Sequence, residues 1–401
     1  MEKKVVVTGI GSISALGLNS AGFWRSLIEG RSGIDRLQGF SATDLKITIA
    51  AQIQDFKPEV FFSPSEMPFL ERYSQFALVA AREAVADSGL NDMEIRKAAA
   101  VIGTGCGGKE TDERSYAALY KEQKRRLHPL TIPRGMPSAA ASQVSMACGL
   151  TGPVFSLSSA CASANHAVAQ AALMIRSGLV EVAVAGGTDA PFTYGLLKAW
   201  EALRVLSQDT CRPFSAARSG MVLGEGAGMI VLESEAHARK RSARIYCELA
   251  GCGMAADASH ITDPCADGAT RAISAALDDA GINVDEIDYI NAHGTGTQAN
   301  DITETSAIRL ALGDRADAVA VSSTKSMHGH ALGASGALEL IATILAMQNG
   351  IVPATINFSG AGEGCDLDYI PNTPRRMVVK TALSNSFAFG GLNAVLAVRI
   401  Y

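Results

Sequence analysis

The sequence predicts an α/β fold built from two similar halves. Two observations carry this. Short β-branched runs alternate with Ala-rich helical stretches along the whole chain, and one strand–Ser-Ser–helix pattern occurs twice. In chain order, Val5–Thr8, Ala98–Ile102, Val182–Ala185, Met229–Leu232, Ile245–Leu249, Ala318–Ser322 and Ala394–Ile400 read as strands. Their near-continuous apolarity predicts sheets covered on both faces. Residues 74–87, 163–176, 268–280, 301–311 and 335–348 read as helices. The repeat pairs Val154-Phe155-Ser156-Leu157-Ser158-Ser159-Ala160-Cys161 with Ala318-Val319-Ala320-Val321-Ser322-Ser323-Thr324-Lys325, an offset of 325 − 161 = 164. Each copy runs on into a helix rich in Ala and Gly, which predicts that both helices are buried. Chance recurrence of a common α/β motif is the alternative. We place the halves at residues 1–244 and 245–401.

Composition narrows the function. At 48% hydrophobic and 19% charged, the 401-residue chain is globular rather than disordered. A net charge of −5 argues against a nucleic-acid footprint. No apolar run reaches the ~18 residues that span a bilayer. Met1-Glu2-Lys3-Lys4 runs straight into the first strand, which predicts no cleavable leader and a cytoplasmic protein. Eight scattered cysteines without a C-x-x-C pair predict free thiols in a reducing compartment.

One of these cysteines has a setting for chemistry. Cys161 lies at a strand-to-helix junction, where unpaired N–H groups and the helix dipole are expected to lower a thiol's pKa and to hold an oxyanion. Cys148, Cys211, Cys247, Cys252, Cys265 and Cys365 read as structural. Two histidines sit in glycine-dense junctions: His293 in Asn291-Ala292-His293-Gly294-Thr295-Gly296-Thr297, and His330 in Met327-His328-Gly329-His330. The glycines let a substrate arm approach, and Thr295 and Thr297 offer it hydroxyls. The i, i+2 pair His328 and His330 has no recognised metal geometry, so no metal is expected. His260 is a candidate to line a pocket.

From Val5-Val6-Val7-Thr8-Gly9-Ile10-Gly11 to Asn385-Ser386-Phe387-Ala388-Phe389-Gly390-Gly391-Leu392-Asn393, the chain resembles the β-ketoacyl-[acyl-carrier-protein] synthases of the chain-elongating, second type. These are thiolase-fold condensing enzymes. Ala160-Cys161-Ala162-Ser163, the His293 segment and Ser323-Thr324-Lys325-Ser326-Met327-His328-Gly329-His330 carry the likeness. The resemblance implies a thiolase-like, five-layered αβαβα fold. It implies that Cys161 takes an acyl chain from a carrier protein's phosphopantetheine thiol. His293 and His330, as neutral donors, would then hold the thioester oxygen of malonyl-carrier protein while CO2 leaves. The resulting carbanion would attack the acyl-Cys161 carbonyl, its oxyanion on the N–H groups of Cys161 and Phe389. Lys325, with Glu304 and Asp301, would give ionic support, and Phe389 would gate the two half-reactions. No cofactor is implied beyond the phosphopantetheine that the carrier protein brings.

Several residues depart from that pattern. Ala388 stands where Gly is usual, Leu392 where Thr is usual, and His328 where Thr is usual. Ser215 and Ser219 replace Asp, which leaves the ion pairing there without two carboxylates. Cys106 occupies the place of a branched residue that caps the acyl pocket, and so suggests a specialised acyl substrate.

An acidic carrier protein requires a basic docking patch. Lys121, Lys124, Arg125 and Arg126 form the densest basic run, and Arg204 resembles another docking position. The second cluster expected near residues 65–69 reads Ser65-Glu66-Met67-Pro68-Phe69 instead. The resemblance implies a homodimer, or the catalytic half of a ketosynthase/chain-length-factor heterodimer in a type II polyketide pathway. A thiolase or initiating synthase would replace one histidine, and a non-catalytic partner subunit would lack Cys161.

Overall fold

Ten strands lie in one hydrogen-bonded series whose two ends mirror each other. The computed structural model describes residues 3–40 and 45–401, so Met1 and Glu2 of the predicted leaderless start lie outside the described residues. The strands are β1 (Val5–Ser14), β2 (Ala99–Gly103), β3 (Val154–Leu157), β4 (Val182–Asp189) and β5 (Gly226–Ser234). They continue with β6 (Cys247–Ala256), β7 (Tyr289–Asn291), β8 (Ala320–Ser322), β9 (Thr381–Ala388) and β10 (Leu392–Arg399). Their order is β8-β7-β9-β10-β6-β1-β5-β4-β2-β3. Outward from the centre, each half places its strands first, fifth, fourth, second, third. The pairings repeat as well: β2 is parallel to β3 and β4, as β7 is to β8 and β9. The halves join where Val5, Val6 and Val7 pair with Leu249, Glu248 and Cys247.

Strand parity then sorts side chains into layers. Seven helices matter here: α1 (Arg72–Ser88), α2 (Lys109–Tyr116), α3 (Ser163–Arg176), α4 (Tyr194–Leu203), α5 (Ala266–Ala280), α6 (Gln298–Leu312) and α7 (Ser335–Asn349). On β4, Val182 and Val184 pack with α1, while Ala183 and Ala185 join the core that holds α3 and α7. On β10, Leu396 and Val398 face that central core, and Val395 and Ala397 face α5 and α6. Helix, sheet, paired helices, sheet, helix: the five layers are those the resemblance implies. Small residues let the central layer close. A Cβ on Gly103 would stand 2.5 Å from the Ser163 backbone, so only glycine lets α3 begin there.

Most predicted elements are present with longer ends. The helix predicted over 163–176 is α3 unchanged, and 74–87 extends to Arg72–Ser88. Strand β9 and helix α4 lay outside the predicted set. The second repeat copy differs from the first. After β8 the chain forms a four-residue helix, Lys325–His328, and α7 starts only at Ser335. Cys161 thus stands directly before its long helix, and Lys325 is separated from its own by residues 326–334. The inserted residues carry His328 and His330. Among the described residues, no helix is long and apolar enough to cross a membrane.

Candidate active site

The Cys161 junction is built by backbone strain and one hydroxyl. Ala160 is held at φ +50, a region unfavourable for a residue with a Cβ, and this turns Cys161 out of the strand direction toward α3. Ser163 clamps the turn: its Oγ accepts the Ser159 N–H at 2.9 Å and donates to the Ala160 carbonyl at 2.7 Å. The expected acidity is not what results. Burial pushes the Cys161 thiol up to about 12, with Lys325 pulling the other way and Asp189 adding to the rise. A thiol this buried loses more in hydration than the helix terminus returns, so it rests protonated.

The two imidazoles sit 5.3 Å apart, edge to face at 83°. Burial, then Lys325, holds His293 well below the ordinary histidine range; the same two causes act on His330. Both rings are therefore neutral. Their tautomers follow from their neighbours. The Lys325 ammonium lies 3.3 Å from His293 Nδ1, and the Leu332 N–H donates to His330 Nδ1 at 3.2 Å. Ser335 Oγ also bonds His330 Nδ1, at 2.9 Å. Each Nδ1 is thus an acceptor, and each ring's proton sits on Nε2.

Three buried acids brace these rings. The resemblance groups Lys325 with Glu304 and Asp301 as ionic support; Lys325 takes its ion pair with Glu339, from one turn inside α7. Its Nζ also donates to the His293 carbonyl at 2.5 Å. Glu304 instead accepts the N–H groups of His293 and Gly294, at 2.8 and 2.7 Å, and the Asn385 amide at 3.1 Å. Asp301 accepts from Phe214 N at 2.6 Å and Gly296 N at 3.2 Å, and burial raises it to about 7. A fourth acid, Asp189, lay, like Glu339, outside the predicted set. It gathers Thr104 Oγ1 and the N–H groups of Gly105, Cys106 and Gly333, joining the two halves beside the site.

Cys161, His293, His330, Thr295, Thr297 and Phe389 all line one cavity, and His260 stands with them. Cys106 lies apart from that lining; it packs, half-buried, in the apolar cluster around Cys161. His328 turns away, its Nε2 bonded to Thr324 and its ring 6.1 Å from Phe23. Where Ser215 and Ser219 stand, hydroxyl pairs replace ion pairs: Ser215 bonds Ser359 and Ser219 bonds Ser207. Arg218 stays buried, with Asp301 at 3.9 Å and its Nε and Nη2 without a hydrogen bond among the described residues. Lys124, Arg125 and Arg126 are exposed on an irregular stretch, not a helix face, and Lys124 pairs with Glu122. Arg204 is exposed and left-handed at the end of α4.

Profiles of known families match this chain over most of its length: Beta-ketoacyl synthase, N-terminal domain, over residues 2–238, and the C-terminal domain over 246–359. The chain belongs to the beta-ketoacyl synthase family. It is a β-ketoacyl-[acyl-carrier-protein] synthase, an acyltransferase that condenses acyl thioesters. Among its relatives, "Nodulation protein E" of Rhizobium sp. (strain N33) is 49% identical over all of both chains. "3-oxoacyl-[acyl-carrier-protein] synthase 2" of Coxiella burnetii (strain RSA 493 / Nine Mile phase I) is 41% identical over 99% of each. Among solved ketosynthases, "The ishigamide ketosynthase/chain length factor" superposes with a TM-score of 0.95 at 35% identity, covering both chains fully. A type II polyketide ketosynthase in complex with its acyl-carrier protein gives 0.92 at 34%, again over both full chains. These likenesses agree with the thiolase-like fold and with the condensing reaction read from the sequence.

Proposed function

We propose that Cys161 accepts an acyl chain and that His293 and His330 drive the decarboxylation that extends it. The supporting observation is that two neutral, Nε2-protonated imidazoles share one cavity with a buried thiol at a helix start. In the first half-reaction the Cys161 sulfur attacks the carrier-bound thioester. The acyl–sulfur bond to phosphopantetheine breaks, and the thiol proton leaves with the pantetheine sulfur. In the second, malonyl-carrier protein loses CO2, and the electron pair delocalises onto the thioester oxygen. Two fixed N–H donors stabilise that enolate without protonating its carbon. The carbon then attacks acyl-Cys161, releasing the thiolate and forming 3-oxoacyl-carrier protein. The N–H groups of Cys161 and Phe389 hold the oxyanion of that step.

Lys325 orients His293 from behind, and Glu304 and Asp301 hold the loop that offers Thr295 and Thr297 to the pantetheine arm. Phe389 gates the two half-reactions, and Cys106 helps to shape the acyl channel. An acidic carrier protein docks through Lys124, Arg125, Arg126 and Arg204. The enzyme needs no cofactor of its own, works in the cytoplasm as a dimer, and combines one half, 1–244, that supplies the thiol with another, 245–401, that supplies the imidazoles. Identity of 46–49% to relatives named for nodulation, against 38–41% to those named 3-oxoacyl synthase 2, supports specialised chain building over bulk fatty-acid elongation. The ishigamide likeness favours a second arrangement, the catalytic subunit of a heterodimer.

Intact-protein mass spectrometry with acyl-carrier proteins tests the assignment. Wild type gains the acyl mass, Cys161→Ala gains none, and His293→Ala and His330→Ala are acylated but fail to condense. Undiminished acylation of Cys161→Ala would sink the reading.

A further inference from the structure

The Phe389 ring has an aromatic partner that holds it in place. Phe389 sits at the tip between β9 and β10, followed by Gly390 and Gly391 at φ +82 and +67. The tip's backbone is tied down: Gly390 N–H donates to the Ile261 carbonyl at 2.7 Å, and Asp257 N–H to the Gly391 carbonyl at 2.9 Å. The Phe389 side chain stacks on Trp200, with ring centroids 6.1 Å apart and planes at 26°. Trp200 lines the same cavity as Cys161 and both imidazoles.

Its helix is a firm mount. Leu197, one turn earlier on α4, is fully buried in the cluster around Cys161. Glu201, next in sequence, accepts the Ile47 N–H at 3.0 Å and the Lys198 ammonium at 2.8 Å. The indole itself is held differently. Its Nε1 is buried and has no hydrogen-bond partner among the described residues, so packing alone fixes the ring. A ring fixed only by packing can tilt when its neighbour leaves. Arg204 follows by one helical turn, so the exposed docking candidate and the stacked indole share one helix end.

Resting on the gate assignment, we propose that Trp200 is the positioning residue that holds Phe389 shut over the acyl channel, and that acyl loading on Cys161 separates the two rings. The chain has two tryptophans, so Trp24→Phe leaves Trp200 as the single reporter. In that background, acyl-carrier protein is added while tryptophan emission and the intact mass of the enzyme are followed in one sample. Emission should change at the rate at which the acyl mass appears, and the change should vanish in Phe389→Ala. Trp200→Ala should raise decarboxylation of malonyl-carrier protein in the absence of an acyl group by roughly two- to tenfold, the range an aromatic pair supports. Trp200→Phe, which keeps a stacking ring, should restore the wild-type rate. Constant emission in fully acylated enzyme overturns the proposal, as does Trp200→Ala with unchanged decarboxylation. Failure of the wild-type enzyme to acquire the acyl mass would instead overturn the ketosynthase roles on which it rests.

Discussion

Lys325 and Glu339 form an ion pair in which neither side chain has any solvent exposure. The same ammonium reaches the His293 carbonyl and ring, so a charge pair buried between β8 and α7 sets the state of an imidazole in the cavity. Removing one partner is worse than removing both. Glu339→Ala strands a buried ammonium and should destabilise the protein by about 3–5 kcal/mol in urea melts. The double variant Lys325→Met/Glu339→Leu should recover most of that stability. It should still condense poorly, because His293 Nδ1 has lost the donor that fixes its tautomer.

His328 predicts a pH effect whose sign is fixed by its burial. Burial first, then Lys325, lowers the folded-state value to about 3, against an ordinary 6.5. Between those values the unfolded chain binds a proton that the folded chain does not, so this residue's contribution to stability falls as pH falls below 6.5. His328→Thr removes that dependence. Between pH 7.5 and 5.5 the variant should gain about 1.3 kcal/mol relative to wild type in paired urea melts.

Arg125 and Arg126 are exposed on an irregular stretch, and reversing both to Glu should spare the fold. Affinity for carrier protein should fall, and its salt dependence should flatten. Turnover of a small acyl thioester should stay unchanged. Equal loss toward both substrates would place the damage in the active site and not at a docking surface.

Cys106 lies beside Cys161 in the apolar cluster, its N–H fixed at 2.9 Å from Asp189. Cys106→Phe should fill the channel and exclude long acyl donors before short ones, with overpacking costing ~1–3 kcal/mol in a parallel melt. Uniform loss across donor lengths, or none, would remove this residue from the control of chain length.

Glycine-dense junctions made much of the site readable in the sequence. Cys161 and His293 follow strand ends among small residues, and His330 stands between Gly329 and Ala331 in the segment before α7. Such places bring backbone and substrate together. What stayed hidden acts from a distance. Glu339 lies within the apolar run Ala337-Leu338-Glu339-Leu340-Ile341, and a lone acid there was the available signal for a buried partner. Trp200 and Asp189 gave no local sign, because their meaning depends on loops far along the chain that fold back onto them. The acidity expected of Cys161 failed for a related reason: a helix terminus is legible in sequence, whereas depth of burial is not.

The pairing of β1 has a consequence for how the protein is made. Val5 pairs with Ser234 on one edge and with Leu249 on the other, so β1 has partners more than two hundred residues downstream. At about 5–20 residues per second, those partners leave the ribosome roughly 10–50 s later. During that interval an apolar segment with two open edges waits in the nascent chain. Demand for a holdase should therefore begin when β1 emerges and end once β6 has emerged.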